Sequence, residues 1–334
     1  MKIAIDVMGG DYAPKELVLG ALSYLKKGGN SDLILVGNES AIRELSPELP
    51  SKCEIVHTDE VIEMGEAPLQ ALRKKKNASV AIAARLVREK KADAFISAGS
   101  TGAQMAASLL GLGRIPGVET ERPAISVMLP TSKNTGVLLL DVGANVDVRP
   151  SHLLQFAMMG AAYYEKICGI ANPKVGLLNI GEEEAKGNEL TKAVFPLLKE
   201  SNLNFIGNIE ADHLYHGEAH VVVCDGFVGN VLLKASEALA ELIQGAVFKA
   251  ATVSDIPMEK LLGIKESLKR YNPESPEYSA APLLGVNGVS LVCHGKSKAN
   301  TIANAIALAE NCTKSDFINL IKQKLDTNTT KDSN

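Results

Sequence analysis

Short β-branched runs recur along this chain, each separated from the next by a segment of helical period, and four of them end in a glycine-bearing turn. Strand patterns fall near 2–7, 33–37, 54–58, 94–97, 124–129, 137–142, 174–179, 204–207 and 220–224. Helical patterns lie at 14–26, 80–91, 102–113, 151–168, 188–200 and 230–250, followed by a hairpin-like stretch at 283–294 and a last helix at 297–312. This alternation predicts an α/β fold with a mostly parallel sheet and helices on both faces. The 334 residues suit one α/β domain over 1–325. A helical excursion is expected at about 236–282, where Pro257, Pro273, Pro276 and Pro282 break the rhythm, and a polar, disordered tail over 326–334.

Local signals sharpen the helices. Pro14 suits a first turn, where its missing N–H has no partner to lose. Leu153, Phe156, Ala157, Gly160, Tyr164 and Ile167 share one helical face. Ser297 is placed to cap the last helix, and Pro196 should kink or shorten the helix that starts near Asn188.

Composition removes several function classes. Aromatics are 4% with no tryptophan, and the net charge is −4, so neither stacking platforms nor a basic field points to nucleic acid. The five cysteines are scattered without a C-x-x-C pair, which predicts reduced thiols rather than a zinc or dithiol centre. A strand pattern starts at Lys2, leaving no room for a signal peptide, and no apolar run reaches the ~20 residues of a spanning helix. The expectation is a cytoplasmic protein.

The chemistry should lie on the glycine turns, because strand C-terminal ends face the ligand crevice of an open α/β sheet. Glycine lets backbone N–H groups approach an oxyanion, and the next helix adds its positive N-terminus. The first turn carries Asp6, Gly9, Gly10 and Asp11; the second Ser97, Gly99, Ser100, Thr101 and Gly102. The third carries Asp141, Asn145 and Asp147; the fourth Asp225, Gly226 and Asn230. One such turn needs no ligand; four beside polar side chains predict a shared anion site. A fifth segment, Asn179 to Asn188, holds Glu182, Glu183, Glu184 and then Lys186 before a helix. It reads either as a solvated charge run or as a lysine aimed at an anion.

Known fingerprints fail. Gly111, Gly113 and Gly117 miss G-x-G-x-x-G, and Gly295-Lys296-Ser297 lacks the upstream glycine of a P-loop, where Ser290 stands. No nucleotide cofactor and no metal are expected. His213, His216, Glu218 and His220 could suggest zinc, but Gly217 and the strand that follows favour a surface cluster. Arg73-Lys74-Lys75-Lys76 reads as a solvated helix end, or as a dock for an acidic protein.

Together the blocks at Asp6–Asp11, Ser97–Ala103, Leu140–Asp147, Lys186-Gly187 and Asp225–Asn230 resemble the acyl-carrier-protein:phosphate acyltransferase family. Arg122-Pro123-Ala124, Leu283-Leu284-Gly285 and His294-Gly295 extend the match from Lys2 to about Ala309. The resemblance implies transfer of a long acyl chain from acyl carrier protein to inorganic phosphate, giving acyl phosphate. It implies a homodimer with a fold similar to isopropylmalate dehydrogenases and phosphotransacetylases, and peripheral contact with the membrane. The product would pass to a membrane glycerol-3-phosphate acyltransferase. Lys186 and Asn230 match the family's proposed catalytic residues, and Arg122 and His294 join the substrate-binding candidates. Three positions depart from its pattern: Ser100 for Asn, Val228 for Thr and Ala280 for Gly. Val228 removes a hydroxyl that a substrate could use. The rivals are a CoA-dependent phosphate acetyl- or butyryltransferase, a dehydrogenase of related fold, and a non-catalytic carrier-protein or membrane adaptor.

Overall fold

A computed structural model describes residues 1–115, 122–133, 135–254, 256–268 and 279–329. The first half opens with β1 (Lys2–Asp6), α1 (Lys15–Lys26), β2 (Asp32–Gly37), α2 (Glu39–Leu45) and β3 (Cys53–His57). Two helices, α3 (Pro68–Lys74) and α4 (Ser79–Arg88), lead to β4 (Ala94–Ser97) and α5 (Thr101–Gly111). The second half runs β5 (Ala124–Leu129), β6 (Val137–Leu140), α6 (Pro150–Cys168), β7 (Lys174–Leu178), α7 (Glu189–Glu200), β8 (Asn204–Ile209) and β9 (Val221–Val223). It ends with α8 (Gly226–Val253), α9 (Met258–Leu268), β10 (Ala281–Leu284), β11 (Val289–Val292), α10 (Ala299–Ser315) and α11 (Phe317–Thr329).

The strands form one sheet in the order β3-β2-β1-β4-β11-β10-β5-β6-β9-β7-β8. Strand alternation divides its core. Ile3, Ile5, Leu33 and Leu35 face one side with Phe156, Tyr164 and Ile302, while Ala4, Ile34, Val36 and Phe95 face the other with Val80, Ala83 and Ala107. The first layer carries α1, α6, α10 and α11, with α1 on α10 and α11 on α6; the second carries α3, α4 and α5. Gly20 sets the α1–α10 approach, since a Cβ there would fall 2.6 Å from the Ile302 Cβ.

The sheet is mostly parallel, but its middle inverts. β10 runs antiparallel to both β11 and β5, and β5 runs antiparallel to β6. As a result β1, β4 and β11 all end at one edge of the ladder, whereas β6, β9 and β7 all end at the other.

Several local expectations need correction. Ser297 does not cap α10. Lys298 holds the N-cap position with no capping side chain, the Glu16 carboxylate accepts from the Ala299 N–H at 2.8 Å, and the buried Ser297 hydroxyl finds no partner. Pro14 stands at the N-cap of α1 rather than inside its first turn. Pro196 lies within α7, which continues to Glu200. The helix α11 extends to Thr329, over the start of the tail read as disordered, because Phe317, Ile321 and Leu325 are buried in the core. Residues 330–334 lie outside the described residues, as do Pro273 and Pro276 of the excursion.

Candidate active site

The inversion decides which glycine turns can share a site. Asp6, Ser97 and the turns after them gather at one edge with His294 and Gly295; Asp141, Asp225 and the Asn179–Asn188 segment gather at the other. No hydrogen bond joins the two groups among the described residues. Strand direction thus sorts the turns expected to share a site into two clusters.

In the first cluster, Asp6 is 2% exposed and accepts from the Ser97 hydroxyl at 2.7 Å and the Met8 N–H at 3.2 Å. Ser97 Oγ in turn accepts from Gly99 N–H at 3.1 Å. Gly9 lies so close to the neighbouring turn that a Cβ would stand 2.8 Å from both Asp6 Oδ2 and Gly99 N. Gly10 has φ +109°, a conformation that favours glycine, and Asp11 N–H donates to the Gly295 carbonyl at 2.8 Å. Ser100 caps α5 through Ala103 N–H, with Thr101 and Gly102 opening the helix. His294 Nδ1 accepts from Lys296 N–H at 3.1 Å. Burial pushes the Asp6 carboxyl up, against hydrogen bonds from Ser79, Ser97, Met8 and Gly9.

The second cluster is built on Asp141, which is fully buried. Its Oδ1 accepts from Ile125, Gly143 and Ala144 N–H at 3.1, 3.2 and 3.0 Å. Its Oδ2 accepts from the N–H and the side-chain amide of Asn145 at 2.7 and 2.8 Å. Burial pushes this carboxyl up too, and the hydrogen bonds pull it back. Every neighbour is a donor, so the geometry serves an ionised carboxylate. Asp141 and Asn145 thus shape the loop from within rather than reaching a ligand.

That loop receives the start of α8. Asp225 caps the helix through Val228 N–H at 2.9 Å, and Gly226 N–H donates to the Asn145 carbonyl at 2.7 Å. The fit is backbone on backbone, since a Cβ on Gly226 would lie 2.7 Å from the Asn145 carbonyl oxygen. One turn on, the Asn230 amide lies over Gly143, whose φ is +134° and where a Cβ would stand 2.7 Å from Asn230 Nδ2. Val228 is exposed on this first turn.

Lys186 belongs to the loop after β7, the strand beside β9. Gly181 makes room for its stem, as a Cβ there would sit 2.8 Å from Lys186 Cγ. Asn179 closes the loop by donating to the Lys186 carbonyl at 3.2 Å. The side chain is exposed, and its Nζ has no hydrogen bond or ion pair among the described residues. Glu184 pairs with Lys199 and Glu182 with His213, so the charge run is partly an ordinary surface network.

Beside the second cluster opens a cleft of about 600 Å³ lined by Arg114, Arg122, Asp147, Val148, Arg149 and His152. Of these, the sequence reading singled out Arg122 and Asp147. Arg114, Arg149 and His152 escaped it, because they converge only once β5 and β6 pair antiparallel. The exposed basic run ends α3, where Lys75 is tied to Glu66 and the Val61 carbonyl. His213–His216 forms a short 3-10 turn.

The cysteines give little nucleophilic character. Cys224, Cys293 and Cys312 are buried; burial raises the Cys293 and Cys312 thiols to about 12 and Cys224 well above its ordinary range. No helix among the described residues is long and apolar enough to cross a membrane.

Comparison with known proteins bears on this arrangement. The chain superimposes on a phosphotransacetylase from Streptococcus pyogenes with a TM-score of 0.61 at 18% identity, covering 96% of this chain and 94% of that one. A putative 4-hydroxythreonine-4-phosphate dehydrogenase from Salmonella typhimurium gives 0.53 at 15%, over 93% and 99%. These likenesses establish the fold. By sequence, a phosphate acyltransferase from Desulfitobacterium hafniense is 54% identical over 97% of this chain and 98% of its own length. Residues 1–320 match the model of a family described as fatty acid synthesis protein. A match of that length and identity leaves one assignment: the chain belongs to the phosphate acyltransferase family of fatty acid synthesis proteins.

Proposed function

We propose that this chain transfers a long-chain fatty acyl group from acyl carrier protein to inorganic phosphate, forming acyl phosphate for phospholipid synthesis. The observation that carries the reading is the loop set at the ends of β6, β9 and β7, with Asn230 over Gly143 and Lys186 two strands from Asp141. It offers donors and charge to an anion and no activated protein nucleophile, which suits a reaction whose nucleophile is itself the anion.

In this mechanism a phosphate oxygen attacks the thioester carbonyl carbon, forming the P–O–C bond and a tetrahedral oxyanion. Collapse breaks the C–S bond and releases the carrier's thiolate, which takes a proton from solvent. Lys186 offsets the charge on phosphate and on the intermediate, and the Asn230 amide donates to the developing oxyanion. Asp141 contributes by holding the Gly143 turn that seats Asn230. Holding phosphate against the carbonyl supplies up to about 7–11 kcal/mol in favourable systems. The product would be consumed by a membrane glycerol-3-phosphate acyltransferase.

The exposed apolar side chains of α8, among them Val231, Leu239, Leu242 and Ile243, support a homodimer contact. Those of α9, with Leu262 half exposed, support peripheral membrane contact.

The test is phosphate-dependent loss of acyl thioester from carrier protein, with acyl phosphate trapped by hydroxylamine and acyl-CoA offered in parallel. Lys186→Ala is expected to lower the rate about a hundredfold or more, on the scale of one oxyanion donor, with the urea midpoint unchanged. A near-normal rate would remove Lys186 from the mechanism. A preference for acyl-CoA would replace the carrier-protein substrate.

A further inference from the structure

The cleft beside the second cluster is more strongly cationic than anything the net charge of −4 prepares for. Its guanidinium groups come from three places in the chain. Arg114 follows α5 and is fixed by a bridge to Val286, Arg122 precedes β5, and Arg149 is the N-cap of α6. Asp147 is the carboxylate among the described lining residues. Helix α6 runs from Pro150 to Cys168, so its positive end also opens here, with Pro150 at N1 leaving no N–H unpaired at that position.

His152 packs against Arg149. It is 4% exposed, and its Nδ1 accepts from Arg149 N–H at 3.1 Å. Its Nε2 faces the Arg149 guanidinium, 3.4 Å from Nε and 3.2 Å from Nη2, so the backbone and the side chain of Arg149 both lie against the ring. Burial, then the Arg149 and Arg122 charges, hold the ring below its usual pKa and favour its neutral form. Guanidinium forks from three parts of the chain therefore address one space, the arrangement that suits a tetrahedral oxyanion.

We propose that Arg114, Arg122 and Arg149, the last held by His152, form a seat for a phosphoryl group next to the loop that positions Asn230. Resting on the acyl-transfer reading, the phosphoryl group belongs either to the attacking inorganic phosphate or to the phosphodiester of the carrier's pantetheine arm. Both present the same oxygens to the same donors.

The experiment uses the full chain and inorganic phosphate. Binding is followed by calorimetry and by the shift in thermal unfolding that phosphate produces, without an acyl donor. Kinetics then give KM for phosphate and for acyl carrier protein separately. Arg114→Gln and Arg122→Gln change exposed side chains, and Arg122→Lys keeps the charge while losing the fork.

If inorganic phosphate is the ligand, each Gln variant raises its Kd and KM roughly tenfold or more, the scale of one charge-assisted hydrogen bond. Arg122→Lys then recovers part of the loss, and KM for acyl carrier protein stays level. If the pantetheine phosphodiester is the ligand, KM for acyl carrier protein rises instead, while an acyl-pantetheine lacking the phosphate is unaffected. Variants that lower the melting temperature without phosphate but leave all these constants unchanged would overturn the seat, making the arginines partners in internal ion pairs. Phosphate binding that depends on the arginines in a protein that transfers no acyl group would keep the seat and reject the acyl-transfer reading. Unaltered binding alongside intact acyl transfer would do the reverse.

Discussion

Asp6 and Asp141 occupy matching places: each follows an apolar strand, precedes a valine and begins a glycine turn. Both are buried and both are pushed up by burial, yet their neighbours differ in kind. Asp6 has backbone donors in Met8 and Gly9 but also meets the hydroxyls of Ser79 and Ser97, which can rotate to donate or accept. Asp141 meets four backbone N–H groups and one side-chain amide, none of which can accept from it. The first carboxyl can take a proton on the Oδ2 that faces the Ser97 hydroxyl while its Oδ1 still accepts from Met8 N–H. The other is committed to a single ionised form, and the loop under Asn230 depends on it.

The same substitution at both sites tests that difference most strongly. In Asp141→Asn, the new amide group must face either the three backbone donors on the Oδ1 side or the two Asn145 donors on the Oδ2 side. Either choice leaves at least two buried donors unpaired, at about 1–3 kcal/mol each. The expected loss in urea unfolding is roughly 3 kcal/mol or more. A loss below about 1 kcal/mol would mean that the donors find other acceptors, and that the loop does not hang on Asp141.

The glycines beside each carboxyl separate the clusters at a smaller scale. Gly9→Ala would push a methyl against backbone as well as the Asp6 carboxylate, because Gly99 N stands 2.8 Å away. Overpacking of this kind costs about 1–3 kcal/mol, read as a lower denaturation midpoint. At Gly143 the first atom met is the end of the Asn230 side chain, which can swing aside. Gly143→Ala should therefore cost only the strain of its positive φ, about 1 kcal/mol, and lower turnover more than stability. Full turnover per folded molecule in Gly143→Ala would detach Asn230 from the chemistry.

Much of this was legible in the sequence. The β-branched runs and helical periods located strands and helices because burial on two sheet faces imposes both periods. Capping by Asn38 on α2 and by Asn188 on α7 uses ordinary N-cap residues, yet the seven residues of α2 are too few for a periodic signal. The site was half legible. Asp141, Gly143 and Asn230 were marked by their glycines, but their separation from Asp6 and Gly99 rests on strand direction. One clue was present: residues 130–136 cannot carry a parallel crossover, which takes a dozen or more residues, so β5 and β6 had to be antiparallel. The link between β10 and β11 is shorter still. Arg114, Arg149 and His152 carry no such mark, because side chains far apart in the chain meet only through that inversion. The Ser297 expectation failed for a similar reason, as Glu16 from a distant helix supplies the cap.

The smallest effect expected is at Asp6, and its sign is the informative part. Burial places the folded carboxyl above its ordinary 3.8, so the folded state holds the proton more tightly than the unfolded chain. The resulting stabilisation is fully present below about pH 4 and is lost as pH rises through the folded value. Asn does not titrate, and the Ser97 and Ser79 hydroxyls can turn to meet its amide. Asp6→Asn should thus cost under about 1 kcal/mol near pH 4 by the usual scale of a satisfied hydrogen bond, then gain on the native chain as pH rises. Urea unfolding of both proteins from about pH 4 to about pH 8 reads this directly. If the variant instead loses ground with rising pH, Asp6 is held as an anion like Asp141, and the two strand ends work in the same way.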